Sequence, residues 1–228
     1  MKVLISFVFA VILSANVFAQ IEGNPENWCR NGLFPRENVD YSILTVLGKK
    51  GEKIYFYGDE SENCPNSEKC RQKSYVIPGD KVIISRKYGN YFCAWFQPKK
   101  GYETVGWISA EKLGYPMVMH LEKKRDLTGT WTFYDNEIRI EKGAKPNTFK
   151  VSGEAFWKGL GDNIHTGELD HEGVIVGEDL KLGENDNDEY DCKVTLKLVG
   201  KYLIVSDNMN CGGANVTFSG VYQQTKNK

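Results

Sequence analysis

The sequence predicts an all-β fold built as two successive β units. Short runs rich in Val, Ile, Phe, Tyr and Trp recur along the chain, several alternating apolar with polar positions. Gly, Asn, Asp and Pro punctuate these runs at short intervals. In the second half of the chain no run with the 3.6-residue apolar period of an amphipathic helix competes with the strand pattern.

Residues 1–19 read as a secretory signal peptide. Lys2 supplies a basic start, residues 3–13 form an apolar run, and Ala15 to Ala19 ends in a small-x-small pattern, so the expected cut follows Ala19. The apolar run is shorter than the roughly 20 residues a spanning helix needs, and no later stretch is longer. The chain is therefore expected to be periplasmic or secreted and not membrane-spanning. All six cysteines, Cys29, Cys64, Cys70, Cys93, Cys192 and Cys211, follow the cut. An even count in an exported chain implies disulfides in an oxidising compartment. The cysteine spacing matches no zinc site, and neither a metal nor another cofactor is expected.

Charge divides the chain. Residues 20–125 hold 17 basic and 13 acidic side chains, and residues 126–222 hold 9 basic and 17 acidic. The break near Arg125 predicts two domains, residues 20–125 and 126–228, which either dock on each other or face different partners. Neither half has the basic stripe of a nucleic-acid binder.

In the first half, residues 20–35 read as an extended arm around Trp28-Cys29. VDYSILTVL (39–47) is read as a strand rather than a short helix. IYFY (54–57) is a strand with Ile54 and Phe56 on one face and Tyr55 and Tyr57 on the other. Residues 60–68 form a polar loop in which Pro65 starts a turn, favouring a Cys64–Cys70 bridge. Pro78-Gly79-Asp80 sets a tight turn before KVIIS (81–85). Gly89-Asn90 separates that run from YFCAWF (91–96), and Lys99-Lys100-Gly101 separates the next, TVGWI (104–108). Cys93 lies mid-strand, where it either bridges Cys29 and pins the arm or stays a buried thiol. This order resembles a bacterial SH3-like domain over residues 50–115, most specifically in Gly79-Asp80-Lys81-Val82 and Gly106-Trp107-Ile108. The resemblance implies a small barrel that takes extended peptides, in bacterial relatives often those of the cell wall.

The second half runs LTGTWTFYD, EIRIE, TFKVSGEAFW, TGELD, GVIVG, DLKLG, CKVTLKLV, YLIVSD and NVTFSGVYQ. These short strands predict an antiparallel meander of eight or nine strands closed into a barrel. Cys192 and Cys211 flank neighbouring strands, which favours their pairing. Gly129-Thr130-Trp131 resembles the G-x-W motif of lipocalin-like barrels, although the last strand offers no Arg to pack on the Trp. The segment DNMNCGGANVTFSGVY resembles a small domain of exported proteobacterial proteins, some described as lysozyme-inhibitor-like.

Catalytic patterns are lacking. There is no G-x-S-x-G elbow and no histidine beside a serine or cysteine. His165 and His171 share a strand face but stand about 20 Å apart on an extended strand, too far to share an ion. Residues 184–191 are acidic but lack the glycine and terminal glutamate of a calcium loop. The expected role is non-catalytic binding to peptidoglycan or an envelope protein. Inhibition of a basic secreted hydrolase and carriage of a small ligand in the second barrel are the alternatives. Surface aromatics of the first half, Tyr55, Tyr57 and Trp107, are the expected binding residues. The two tyrosines share a face and carry hydroxyls that burial would have to satisfy, and Trp107 follows a glycine that admits a close backbone.

Overall fold

A computed structural model describes residues 24–114, 126–183 and 190–225. Residues 1–19, expected as a signal peptide, the expected domain break near Arg125 and most of the acidic residues 184–191 lie outside the described residues. Among the described residues, fourteen strands form two separate antiparallel systems.

The first is a six-stranded sheet: β1 (Ser42–Thr45), β2 (Ile54–Tyr57), β3 (Arg71–Val76), β4 (Lys81–Tyr88), β5 (Tyr91–Phe96) and β6 (Thr104–Ser109). Its spatial order is β1-β4-β5-β6-β2-β3, leaving β1 and β3 at the edges. The strand faces follow from alternation. Leu44, Ile54, Phe56, Val76, Val82, Ile84, Ala94 and Ile108 come from all six strands and meet in one buried cluster, so the sheet curls around them. β3 is absent from the sequence reading because most of RQKSYV is polar and exposed, and only Val76 is buried.

The second is a closed barrel of eight strands: β7 (Gly129–Phe133), β8 (Asn136–Lys142), β9 (Thr148–Lys158), β10 (Ile164–Val176), β11 (Asp179–Leu182), β12 (Val194–Val199), β13 (Tyr202–Asp207) and β14 (Gly220–Gln224). Each strand pairs with its sequence neighbours, and β14 closes on β7. Inward side chains from Trp131 to Tyr222 pack into one cluster that fills the interior. Trp131 is buried there, and its indole N–H donates to Leu127 O. TGELD and GVIVG are one continuous strand, not two. Gly167 and Gly173 sit inside it because a Cβ at either would collide with neighbouring atoms, Cys211 O for the first and the Leu182 side chain for the second.

The disulfides are Cys29–Cys93, Cys64–Cys70 and Cys192–Cys211. Three such bonds point to an oxidising environment.

A third cluster lies between the two systems. Ile83, Trp95 and Val105 on the outer face of the first sheet meet Val199, Ile204 and Val221 on the outside of the barrel. Trp95 and Tyr202 pack edge to face at 4.9 Å. The opposite net charges of the halves do not make this contact. Among the described residues the one ion pair across it joins Lys197 of the acidic half to Asp40 of the basic half, at 3.6 Å.

Candidate functional site

The outer face of the first sheet carries the surplus aromatics, and two elements cover it. One is the barrel. The other is the N-terminal arm, which begins with a 3-10 turn at Pro25–Asn27. Asn27 Nδ2 donates to Ser61 O and Cys64 O, each at 2.9 Å. The buried Asp59 carboxylate accepts from Cys29 N and pairs with the Arg30 guanidinium at 2.8 Å. Cys29–Cys93 then bolts the arm to the middle of β5.

Trp107 lies under this arm. It is 0% exposed, and its indole N–H donates to Asn27 O at 2.7 Å. The expectation that Trp107 lines an open surface is therefore corrected. Gly106 does admit a close backbone, but it is Tyr57 O of the neighbouring strand rather than a ligand. Tyr57 pairs across the sheet with Trp107 and is half-buried against Tyr91, with ring centres 5.6 Å apart. Its hydroxyl donates to Glu68 Oε1 at 2.9 Å. Burial, and then that carboxylate, push the phenol above its ordinary range.

Tyr55 has a different setting. Its partner in β3 is Tyr75, which is 43% exposed, and the rings meet edge to face at 5.8 Å. The Arg71 guanidinium lies 4.9 Å from the Tyr55 ring centre, and Lys53 Nζ lies 4.5 Å from that of Tyr75. An irregularity in the β2–β3 pairing places Arg71 opposite Tyr57, within reach of Tyr55. The result is a ladder, Lys53–Tyr75–Tyr55–Arg71, on an edge strand that leaves backbone donors and acceptors unpaired. Sequence reasoning found Tyr55 but missed Tyr75, Lys53 and Arg71. Their grouping depends on β3, whose polar sequence gives no strand signal. Chemically, the ladder offers two aromatic faces, two cations and a strand edge. That suits an extended, negatively charged chain.

A second open surface is the outside of β8, β9 and β10. Glu137, Glu154 and Glu168 stand directly opposite one another on these three strands. Like charges so placed disfavour the sheet by a few tenths of a kcal/mol or more per pair, about 0.2–1. Where the β9–β10 hairpin turns, Leu160 is 97% exposed, and Phe156 and Ile164 are also open to solvent.

Among the described residues no group of three or more His, Cys, Asp or Glu could hold a metal ion. His165 is instead engaged through Nδ1 with Ala214 O and packs on Trp157. Comparison with protein-family models, curated proteins and solved structures finds no match for this chain.

Proposed function

We propose that this chain is an exported, non-catalytic envelope protein whose first unit is SH3-like and whose second is lipocalin-like. Its ligand is an anionic, peptide-bearing wall polymer such as peptidoglycan. The Lys53–Tyr75–Tyr55–Arg71 ladder on the open edge of the first sheet carries this reading. A stacked aromatic contributes on the order of 1–2 kcal/mol to such binding. Tyr55→Ala and Tyr75→Ala should each weaken retention about tenfold in co-sedimentation with purified peptidoglycan. Both side chains lie outside the buried clusters, so folding should survive. A Tyr55→Ala/Tyr75→Ala protein that sediments as the parent does would end this reading.

The glutamate row and the exposed hairpin favour a second reading, inhibition of a basic secreted hydrolase. Acidic surface speeds encounter with a basic enzyme, and Leu160 at a hairpin turn is free to enter a cleft. Inhibition of a lysozyme by the parent, weakened at least tenfold in Leu160→Asp, is the expected result. An unchanged rate at micromolar protein would remove it. The small-ligand carrier gains no support from a barrel interior filled by its own side chains.

A further inference from the structure

We propose that β3 takes an acidic peptide as an added strand, so that the first sheet binds the ligand's main chain as well as its charge. This rests on the reading of the Lys53–Tyr75–Tyr55–Arg71 ladder as a binding surface. It adds which part of the ligand is held, peptide rather than glycan, and in what conformation.

The two edges of the sheet differ. β1 is closed over: Leu47 N–H donates to Lys112 O and Gly114 N–H to Thr45 O, each at 2.8 Å, and Val46 bridges Leu113. β3 pairs with β2 on one side, and among the described residues no strand lies on the other. That side keeps backbone donors and acceptors for a partner. The open run ends at Ile77, whose N–H already donates to Asp80 Oδ2 at 2.9 Å. Lysine on an edge strand keeps a second copy from pairing there. That role does not account for Tyr75 and Ile77, which are 43% and 46% exposed on the same edge. Nor is the edge short: β3 runs six residues, where β1 and β2 have four each.

Side chains alternate along this edge. Arg71, Lys73, Tyr75 and Ile77 are exposed, while Gln72 and Ser74 are half-buried and Val76 is buried. Every second residue of an added strand falls beside the exposed row, because it has the same two-residue period. The row is cationic at one end and apolar at the other, and Lys53 Nζ lies 4.5 Å from the Tyr75 ring centre. The carboxylates nearby leave these cations in excess. Glu52 is held by Lys112 at 2.7 Å, and Asp80 serves Ile77 N–H. Glu68 stands 3.8 Å from Arg71 and accepts from the Tyr57 hydroxyl. Lys53, Arg71 and Lys73 thus outnumber Glu68 along the edge. A peptide with carboxylates at alternate positions complements them across the new pairing, while its main chain bonds to β3.

The test uses the full oxidised chain and short labelled peptides, acetylated and amidated, with binding read by fluorescence anisotropy at constant ionic strength. One peptide alternates glutamate with threonine, and a control carries lysine for glutamate. Two further versions are N-methylated, one at every glutamate and the other at every threonine. An added strand bonds to its neighbour through alternate residues, so one methylated version should lose binding and the other keep it. The parent should bind the glutamate peptide saturably and the lysine peptide at least tenfold more weakly. Lys73→Glu, at an exposed position, should weaken the glutamate peptide about tenfold. No saturable binding, equal effects of the two methylated versions, equal binding of the lysine peptide, or an unchanged affinity in Lys73→Glu overturns the proposal. Its failure is distinct from that of the wall reading. Equal effects of methylation leave a ladder that holds side chains alone, whereas strand addition without co-sedimentation leaves an edge whose ligand is not the wall.

Discussion

Glu103 is half-buried where the first sheet meets the barrel. Its carboxylate accepts from the indole N–H of Trp95, the ring that packs on Tyr202. Burial raises its pKa above the ordinary glutamate range, and the Trp95 bond pulls it part of the way back. Tyr134 of the barrel is raised by its own burial and then by the charge of Glu103. A raised folded-state pKa means that the folded chain binds the proton more tightly than the unfolded chain. This contribution to stability is therefore complete below the ordinary glutamate pKa of about 4.3 and is lost as pH rises through the folded value. Glu103→Gln should remove that fall. Urea midpoints of parent and variant, measured from pH 4 to 7, should diverge in slope; parallel profiles would refute the assignment. At this scale alternation was a sound guide to which side chains share a face. Ile54 and Phe56 point inward, and Cys93 and Trp95 share the outer face. What covers a face was not legible, which is why Trp107 was expected in the open.

Among the elements, legibility tracked apolar content. IYFY and YFCAWF are strands over the residues read from sequence, each rich in apolar and aromatic side chains, with Ile54, Phe56, Cys93, Ala94 and Trp95 buried. The polar strand β3 left no such signal, and with it went the grouping of Tyr55 with Tyr75. Glycine misled in the other direction. TGELD and GVIVG read as separate strands, but Gly167 and Gly173 both lie inside β10, where they make room for atoms of neighbouring segments. The arm shows a third case. Its residues have no strand or helix pattern, and its place is set by long-range bonds: Cys29–Cys93, Asn27 to the 61–64 loop, and Asp59 to Cys29 and Arg30. Only the cysteine made any of this visible in advance.

For the whole molecule, the central matter is how the two systems meet. The change of charge near Arg125 suggested two units that fold independently. The seam between them buries Ile83, Trp95, Val105, Val199, Ile204 and Val221 as one cluster. Ile204 is 2% exposed there, and a carboxylate in its place would be buried without a partner, at a cost of several kcal/mol. The parent should therefore unfold in one calorimetric transition, and Ile204→Asp should separate it into two. A parent that already melts in two steps would show that the seam does not couple the halves.

The sequence by itself determined the all-β class, the strand faces wherever apolar residues alternate, and a cysteine pattern compatible with the three bridges. These follow from local chemistry: side-chain branching, the two-residue period of a strand, and turn residues. The tertiary structure alone decided which aromatic face stays open, that the arm and the barrel cover Trp107 and Trp95, and that Tyr55 meets Tyr75 beside Lys53 and Arg71. Those outcomes depend on pairs of residues far apart in the chain, and no local period encodes which exposed face a distant segment will bury.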